Sequence, residues 1–217
     1  MAQAKPSGEC RPRGRPQLRS DEETRRIVFD AARHAFAVDG YAATSTEELA
    51  RRAGISTKTL YRLFPGKAAL FEAMCADRLQ QLLSAVDLQG SDEVDIETGL
   101  RAALLACADL ALDPEVVALQ RMVLQESAAF PELAANFYNN GIFRTVRTLA
   151  GWLRVQVKRK RIAIEDAEEV AGMLIGMVAS APQRAAIYGG MPLPSRKQIE
   201  RRVQTCVALF LDGCRAA

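Results

Sequence analysis

A single histidine in 217 residues removes most enzyme chemistry from consideration. His34 lies in a helical run beside apolar positions, where it reads as a packing or surface residue rather than a general base. No Ser-His-Asp set and no glycine-rich phosphate loop occurs. The five cysteines, at 10, 75, 107, 206 and 214, lack paired metal-ligand spacing and sit mostly in helical runs, so buried or idle thiols are expected. Catalytic residues, metal and cofactors are accordingly expected to be none. Strand-like alternation, internal repeats and low-complexity tracts are missing as well, and this predicts an all-α fold. The N-terminus is polar and proline-rich rather than apolar, unlike a leader peptide. The longest uncharged stretch, Val170 to Gln183, is shorter than the roughly 20 residues a bilayer requires. No membrane association and a cytoplasmic, nucleoid-associated location are therefore expected.

What the chain does have is charge asymmetry. Residues 1–67 carry 13 Lys and Arg against 8 Asp and Glu, a net of +5, and residues 68–217 carry 16 against 18, a net of −2. The overall +3 is thus concentrated at one end, as a phosphate-binding surface requires. The length suits a small head on a larger body.

Within the basic end, residues 44–64 read as two short helices around a tight turn. Ser45 at an N-cap can bond the Glu48 amide, with the Glu48 carboxylate reaching back, and Leu49, Ala50 and Ala53 supply one apolar face. Gly54 provides the left-handed residue that ends the first helix, Ile55 can staple to Leu60, and Ser56 caps the second. Leu60 and Phe64 recur four apart and face inward, which turns Thr57, Lys58, Tyr61 and Arg62 outward. Hydroxyls, a lysine, a phenol and an arginine on one helix suit a major groove and its flanking phosphates. Upstream, a capped amphipathic helix begins at Ser20 and carries Ile27, Val28, Ala31, Ala35 and Phe36 before Gly40. Downstream, a helix from Lys67 carries Leu70, Phe71, Met74 and Leu82.

This order resembles the N-terminal domain of the TetR/AcrR family of bacterial transcription regulators. The resemblance rests on Ile27, Ala31, Ala32, Phe36, Gly40, Tyr41, Thr44, Ser45, Leu49, Ala50, Ala53, Gly54, Ile55, Ser56, Thr59, Leu60, Tyr61, Phe64 and Lys67, in register without a gap. It implies that Thr57, Lys58 and Arg62 read bases, while Thr44, Ser45, Thr46, Tyr61 and Lys67 hold DNA phosphates. Pro65-Gly66 departs from the polar residue followed by Ser or Asn common in the family, which bears on the aim of Lys67.

Ahead of the helix-turn-helix, residues 1–19 form a basic arm with prolines that forbid helix, predicted to be disordered in isolation. Its Arg13-Gly14-Arg15-Pro16 core is similar to an AT-hook, and Arg11, Arg13 and Arg15 are candidates for the minor groove. The alternative is a solvated basic tail. The domains expected are therefore the arm at 1–19, a helix-turn-helix domain at 20–66, and a helical ligand-binding and dimerisation domain at 67–217.

Helix punctuation divides the body into 67–87, 94–112, 114–129, 132–160, 166–189 and 196–214. Asp113-Pro114, Asp166 with Glu169, and Ser195 with Gln198 are N-terminal signals. Lys158-Arg159-Lys160-Arg161 closes a helix against its macrodipole. Gly172, Gly176 and Ser180 fall four apart and predict a close helix–helix ridge, with Val203, Val207 and Phe210 opposite on the last helix. By the family resemblance these two helices form an intersubunit four-helix bundle, hence a homodimer. Pro182 is expected to kink the first of them.

An effector pocket in the body is implied by the same resemblance, with Met122, Phe137, Tyr138, Trp152, Met173 and Met177 as soft apolar surface and Gln125 and Glu126 as polar anchors. Residues 122–138 look like the C-terminal domain of AefR-like members. The expected function is a transcriptional regulator, a repressor released from a palindromic double-stranded operator by a small, largely apolar molecule. The alternative is a DNA-bound structural or adaptor protein whose body takes no small molecule.

Overall fold

The computed structural model describes residues 19–84 and 94–214, so the arm residues Arg11, Arg13 and Arg15 and the side chain of Leu82 lie outside the described residues. Among the described residues the chain is helical throughout, with no strand. Helix α1 (Asp21–Asp39) opens on the expected capping box: the Glu23 amide donates to Ser20 Oγ at 3.1 Å and the Ser20 amide donates to the Glu23 carboxylate at 2.8 Å. Helices α2 (Thr46–Arg52) and α3 (Thr57–Leu63) follow, capped by Ser45 and Ser56. One detail differs at Ser45. The Glu48 carboxylate turns to the guanidinium groups of Arg51 and Arg52 at 2.6–2.8 Å instead of closing a capping box, because three charge-assisted bonds outweigh one amide. Gly54, at φ +64°, lets the Ile55 amide reach back to the Ala50 carbonyl and so turns the chain between α2 and α3.

Helix α4 (Lys67–Ser84) leads into the body, formed by α5 (Ile96–Ala111), α6 (Pro114–Glu126), α7 (Pro131–Phe137), α8 (Arg144–Lys158), α9 (Ala167–Ile175), α10 (Ala181–Gly189) and α11 (Arg196–Cys214). The run expected as one helix over 132–160 is interrupted by a π-helical turn at Tyr138–Phe143, where Asn139, Asn140 and Gly141 are weak helix formers. A second π-turn, Gly176–Ser180, joins α9 to α10. Pro182 explains it: without an N–H it cannot complete the regular ladder, and the backbone shifts register ahead of it. Helix 114–129 is shorter than expected, ending at Glu126.

Two apolar cores hold these helices. The first buries Phe36, Leu49, Leu60, Phe71 and Met74 of α1–α4, and it continues into the body through Leu119, Met122, Val123, Leu133 and Phe137. The second joins α5, α8, α9 and α11 through Leu104, Leu153, Leu174 and Val203. Helices α1–α4 therefore share one core with α6 and α7. Ion pairs and hydrogen bonds cross the same boundary: Arg33 of α1 meets Glu115 of α6 at 3.2 Å, and the Ala42 amide donates to Glu126 at 3.3 Å.

Helices α9 and α10 form a continuous 23-residue helical run from Ala167 to Gly189. By length and composition alone this run is apolar enough to cross a bilayer, but Ala171, Leu174, Val178 and Ala179 on it are buried in the second core, as in a packed core helix. Only 28 % of its most apolar window is buried within the chain. Met173, Met177 and Tyr188 on it, with Leu209 on α11, stay exposed.

Candidate nucleic-acid interface and body cavity

Helix α3 stands out from the first core with Lys58, Tyr61 and Arg62 exposed and Thr57 half-buried, anchored by Leu60 and Leu63 beneath. The Tyr61 hydroxyl lies 2.9 Å from the Thr46 hydroxyl, so the start of α2 and the middle of α3 present two linked hydroxyls to the same side. Arg62 makes a fork of two 2.7 Å bonds to Asp21 at the start of α1, which raises the guanidinium pKa further and aims its plane along the domain edge. Thr44 is buried, its hydroxyl donating to the Gly40 carbonyl at 2.7 Å, so its side chain braces the loop before α2. Ser45 is exposed but occupied as the N-cap.

Lys67 occupies a more specific place than sequence reasoning assigned. Its Nζ donates to the Tyr41 carbonyl at 2.6 Å and to the Thr44 carbonyl at 2.9 Å, and lies 4.3 Å from the centre of the Tyr41 ring. Desolvation lowers its pKa from the ordinary lysine value. Two of its three donors therefore fasten the start of α4 to the loop that enters α2.

Between the two cores lies a cavity of about 310 Å³. One wall comes from the first core, through Met74, Leu119 and Phe137, and the other from the second, through Cys107, Ile175 and Ala179. Both π-turns border it: Gly141 and Ile142 from one, Gly176, Ala179 and Ser180 from the other. Small residues on locally unwound helices leave the space open. Its size lies near the lower end of the roughly 300–1,000 Å³ usual for ligand sites.

This location corrects most of the pocket expected from sequence. Of the eight candidates only Phe137 lines the cavity. Met122 is packed inside the first core, and Trp152 fills the second, its ring 3.0 Å from the position a Cβ at Gly99 would take. Gln125 is exposed, and Glu126 is engaged with Ala42. Tyr138 is exposed and stacks on Phe143, and Met173 and Met177 face outward. Helical phase explains the error, because apolar character fixes that a residue is buried or sticky and leaves open against what.

The structure divides the residues expected at the dimer ridge. Gly172, Gly176 and Ser180 line the cavity, Val203 and Val207 are buried in the second core, and Phe210 packs against that core. The exposed apolar residues lie one position further along, at Met173 and Met177. Sequence reasoning missed Arg33 and Arg78, which also line the cavity. In the sequence Arg78 continues the Leu70, Met74 spacing of four and Arg33 lies between Phe29 and Phe36 at the edge of the apolar stripe of α1, positions that read equally as a solvated margin.

Residues 28–74 match the pattern of the bacterial regulatory proteins of the tetR family, and residues 98–214, over half the chain, match the C-terminal domain of AefR-like transcriptional repressors. The chain belongs to the TetR family. A crystal structure of a Mesorhizobium loti protein assigned to that family superposes with a TM-score of 0.77 at 26 % identity, covering 91 % of this chain and all of that one. The flavonoid-responsive regulator FrrA superposes with a TM-score of 0.71 at 27 % identity, over 89 % of this chain and 98 % of its own. The HTH-type transcriptional regulator SrpR of Pseudomonas putida is 24 % identical over 158 residues, 72 % of each chain. As a TetR-family member the protein is a homodimeric DNA-binding transcription regulator. Among the described residues no group of three or more His, Cys, Asp and Glu is placed to hold a metal ion.

Proposed function

We propose that this TetR-family regulator is a repressor that binds a palindromic operator as a two-fold dimer and leaves it when a small, largely apolar molecule enters the body. The observation that carries this reading is the cavity at the seam between the two cores, since any molecule lodged there touches the packing of α1 and α4 on one side and of α5 and α9 on the other. FrrA, similar over most of its length, is named for its response to flavonoids, which are compact ring systems of the size this cavity accepts. A ligand shifts the balance between DNA-bound and released forms only by its differential affinity for them; about a hundredfold preference, about 2.7 kcal/mol, suffices for substantial release.

On DNA, Thr57, Lys58 and Arg62 read base edges, and Arg62 exchanges its Asp21 partner for the groove or keeps it as a positioning brace. Tyr61 and Thr46 hold a phosphate through their paired hydroxyls. Ser45 adds to the same phosphate contact, while Thr44 serves by holding the loop. Lys67 keeps that loop in place and offers its remaining N–H to the backbone. The arm residues Arg11, Arg13 and Arg15 follow the adjacent minor groove. The second subunit covers Met173, Met177, Tyr188 and Leu209, and so sets the distance between the two α3 helices.

Selection from randomised duplexes tests the DNA half of this reading. The wild type is expected to enrich a palindrome with half-site centres about 10–10.5 bp, or a multiple of that, apart. Lys58→Ala changes the preferred bases, and deletion of residues 1–19 removes only the preference for flanking A·T pairs. Enrichment of an asymmetric site, or an unchanged preference in Lys58→Ala, contradicts it.

A further inference from the structure

The cavity carries information about its occupant. Arg33 of α1 and Arg78 of α4 both line it and converge on the first turn of α6. Each already has a carboxylate: Glu115 and Asp30 for Arg33, and Asp113 for Arg78. Asp113 is itself fixed as the α6 N-cap, accepting from the Glu115 and Val116 amides at 2.9 and 3.2 Å. The charge of both guanidinium groups is therefore balanced within the protein, and Glu115 lines the same cavity. A ligand carboxylate entering here meets acidic groups that already hold its place.

Hydrogen bonding, in contrast, is incomplete. Arg33 Nη1 and Arg78 Nε are both buried without an acceptor. Two buried donors without partners, on two arginines at one end of an otherwise apolar cavity, are costly in the empty protein. A small rotation of either guanidinium toward the cavity relieves that cost once an oxygen is there to accept. Two other polar side chains of the wall, which also holds Gln120 and Ser180, are already engaged. Gln183 Nε2 donates to the Ala111 carbonyl at 2.8 Å, and the Thr145 hydroxyl donates to the Gly141 carbonyl at 2.8 Å. The cavity thiols, Cys75 and Cys107, are held protonated by burial, their pKa values pushed up to about 12.

We infer that the cavity takes an uncharged, largely apolar molecule bearing a carbonyl-type oxygen, and that Arg33 and Arg78 are the residues that recognise this oxygen. The inference rests on the ligand-responsive reading above and specifies the ligand's chemistry. It also gives the ligand a direct hold on the DNA-binding end. Arg33 belongs to α1, so an acceptor that draws Arg33 inward loosens the Arg33–Glu115 pair that ties α1 to α6. A ligand without the oxygen fills the same space and leaves that tie alone.

Three probes on one ring skeleton test this on the full chain by calorimetry: flavone, with the ring carbonyl; flavan, without it; and flavone-6-carboxylate, with an added charge. Flavone is expected to bind at least tenfold more tightly than flavan and than the carboxylate. In Arg33→Met and Arg78→Met the flavone-to-flavan ratio falls toward one while flavan affinity stays the same, with circular dichroism confirming the fold. Should either variant unfold, Arg33→Lys and Arg78→Lys, which retain charge and lose the fork, are expected to lower the same ratio. Equal binding of flavone and flavan overturns the role of the oxygen while leaving the cavity as a ligand site. Tighter binding of the carboxylate overturns the neutrality argument. No binding of any of the three overturns the proposal together with the ligand-site reading on which it rests.

Discussion

Cys75 and Cys107 line the cavity from its two opposite walls and share one consequence of burial: both thiols are pushed up to about 12, so at pH 8 roughly one in ten thousand of each is thiolate. Peptide mapping after iodoacetamide treatment at pH 8 is expected to find both unmodified in the native protein and both alkylated after denaturation. Rapid native labelling of either contradicts the burial described. Single residues also show what a sequence discloses. The caps Ser20, Ser45 and Ser56, and the left-handed Gly54, were legible because local geometry demands those residue types at those positions. The two guanidinium groups on the cavity were not, because an arginine at the margin of an apolar stripe reads equally as a solvated edge, and only the tertiary fold brings α1 and α4 to the same void.

Among the elements, the expected helix over 166–189 is present as α9, a π-turn and α10, and the small-residue ridge on it borders the cavity. The rule that small residues on a ridge admit a neighbouring helix assumes that the space they leave is filled. Here Gly172 and Gly176 border the cavity, and the proposed partner face lies about 100° further round, at the exposed Met173 and Met177. The π-turns contributed to the same difference, since Pro182 signalled a disturbance without its form. The partner face is tested through Leu209 on α11, which is exposed and not counted in either core. Leu209→Arg is expected to change the subunit's own stability by no more than about 0.5 kcal/mol, leaving helical content unchanged, while light scattering shows monomer. A dimer that persists in Leu209→Arg moves the interface away from α11.

For the whole molecule, the architecture of a helical DNA-binding end on a larger helical body was legible from helix punctuation and charge, since both are written locally. The sharing of one core between α1–α4 and α6–α7 was not, because it depends on long-range packing. That sharing gives the central claim its physical basis: the cavity lies where the core containing the DNA-binding helices meets the core bearing the dimer face, so filling it alters how one is held against the other. Gly176 gives access to this claim, since it lines the cavity and a Cβ there meets nothing closer than Ser180 Oγ at 3.6 Å. The most direct measurement is operator release, followed by fluorescence anisotropy across a panel of flavones, phenols and other lipophilic compounds, run in parallel on the wild type and Gly176→Leu. The account predicts that compounds releasing the wild type leave the variant on DNA, and that the variant remains a dimer with unchanged operator affinity. Release of both proteins by the same compounds at the same concentrations, release of neither across the panel, or a variant that falls apart into monomers would contradict it.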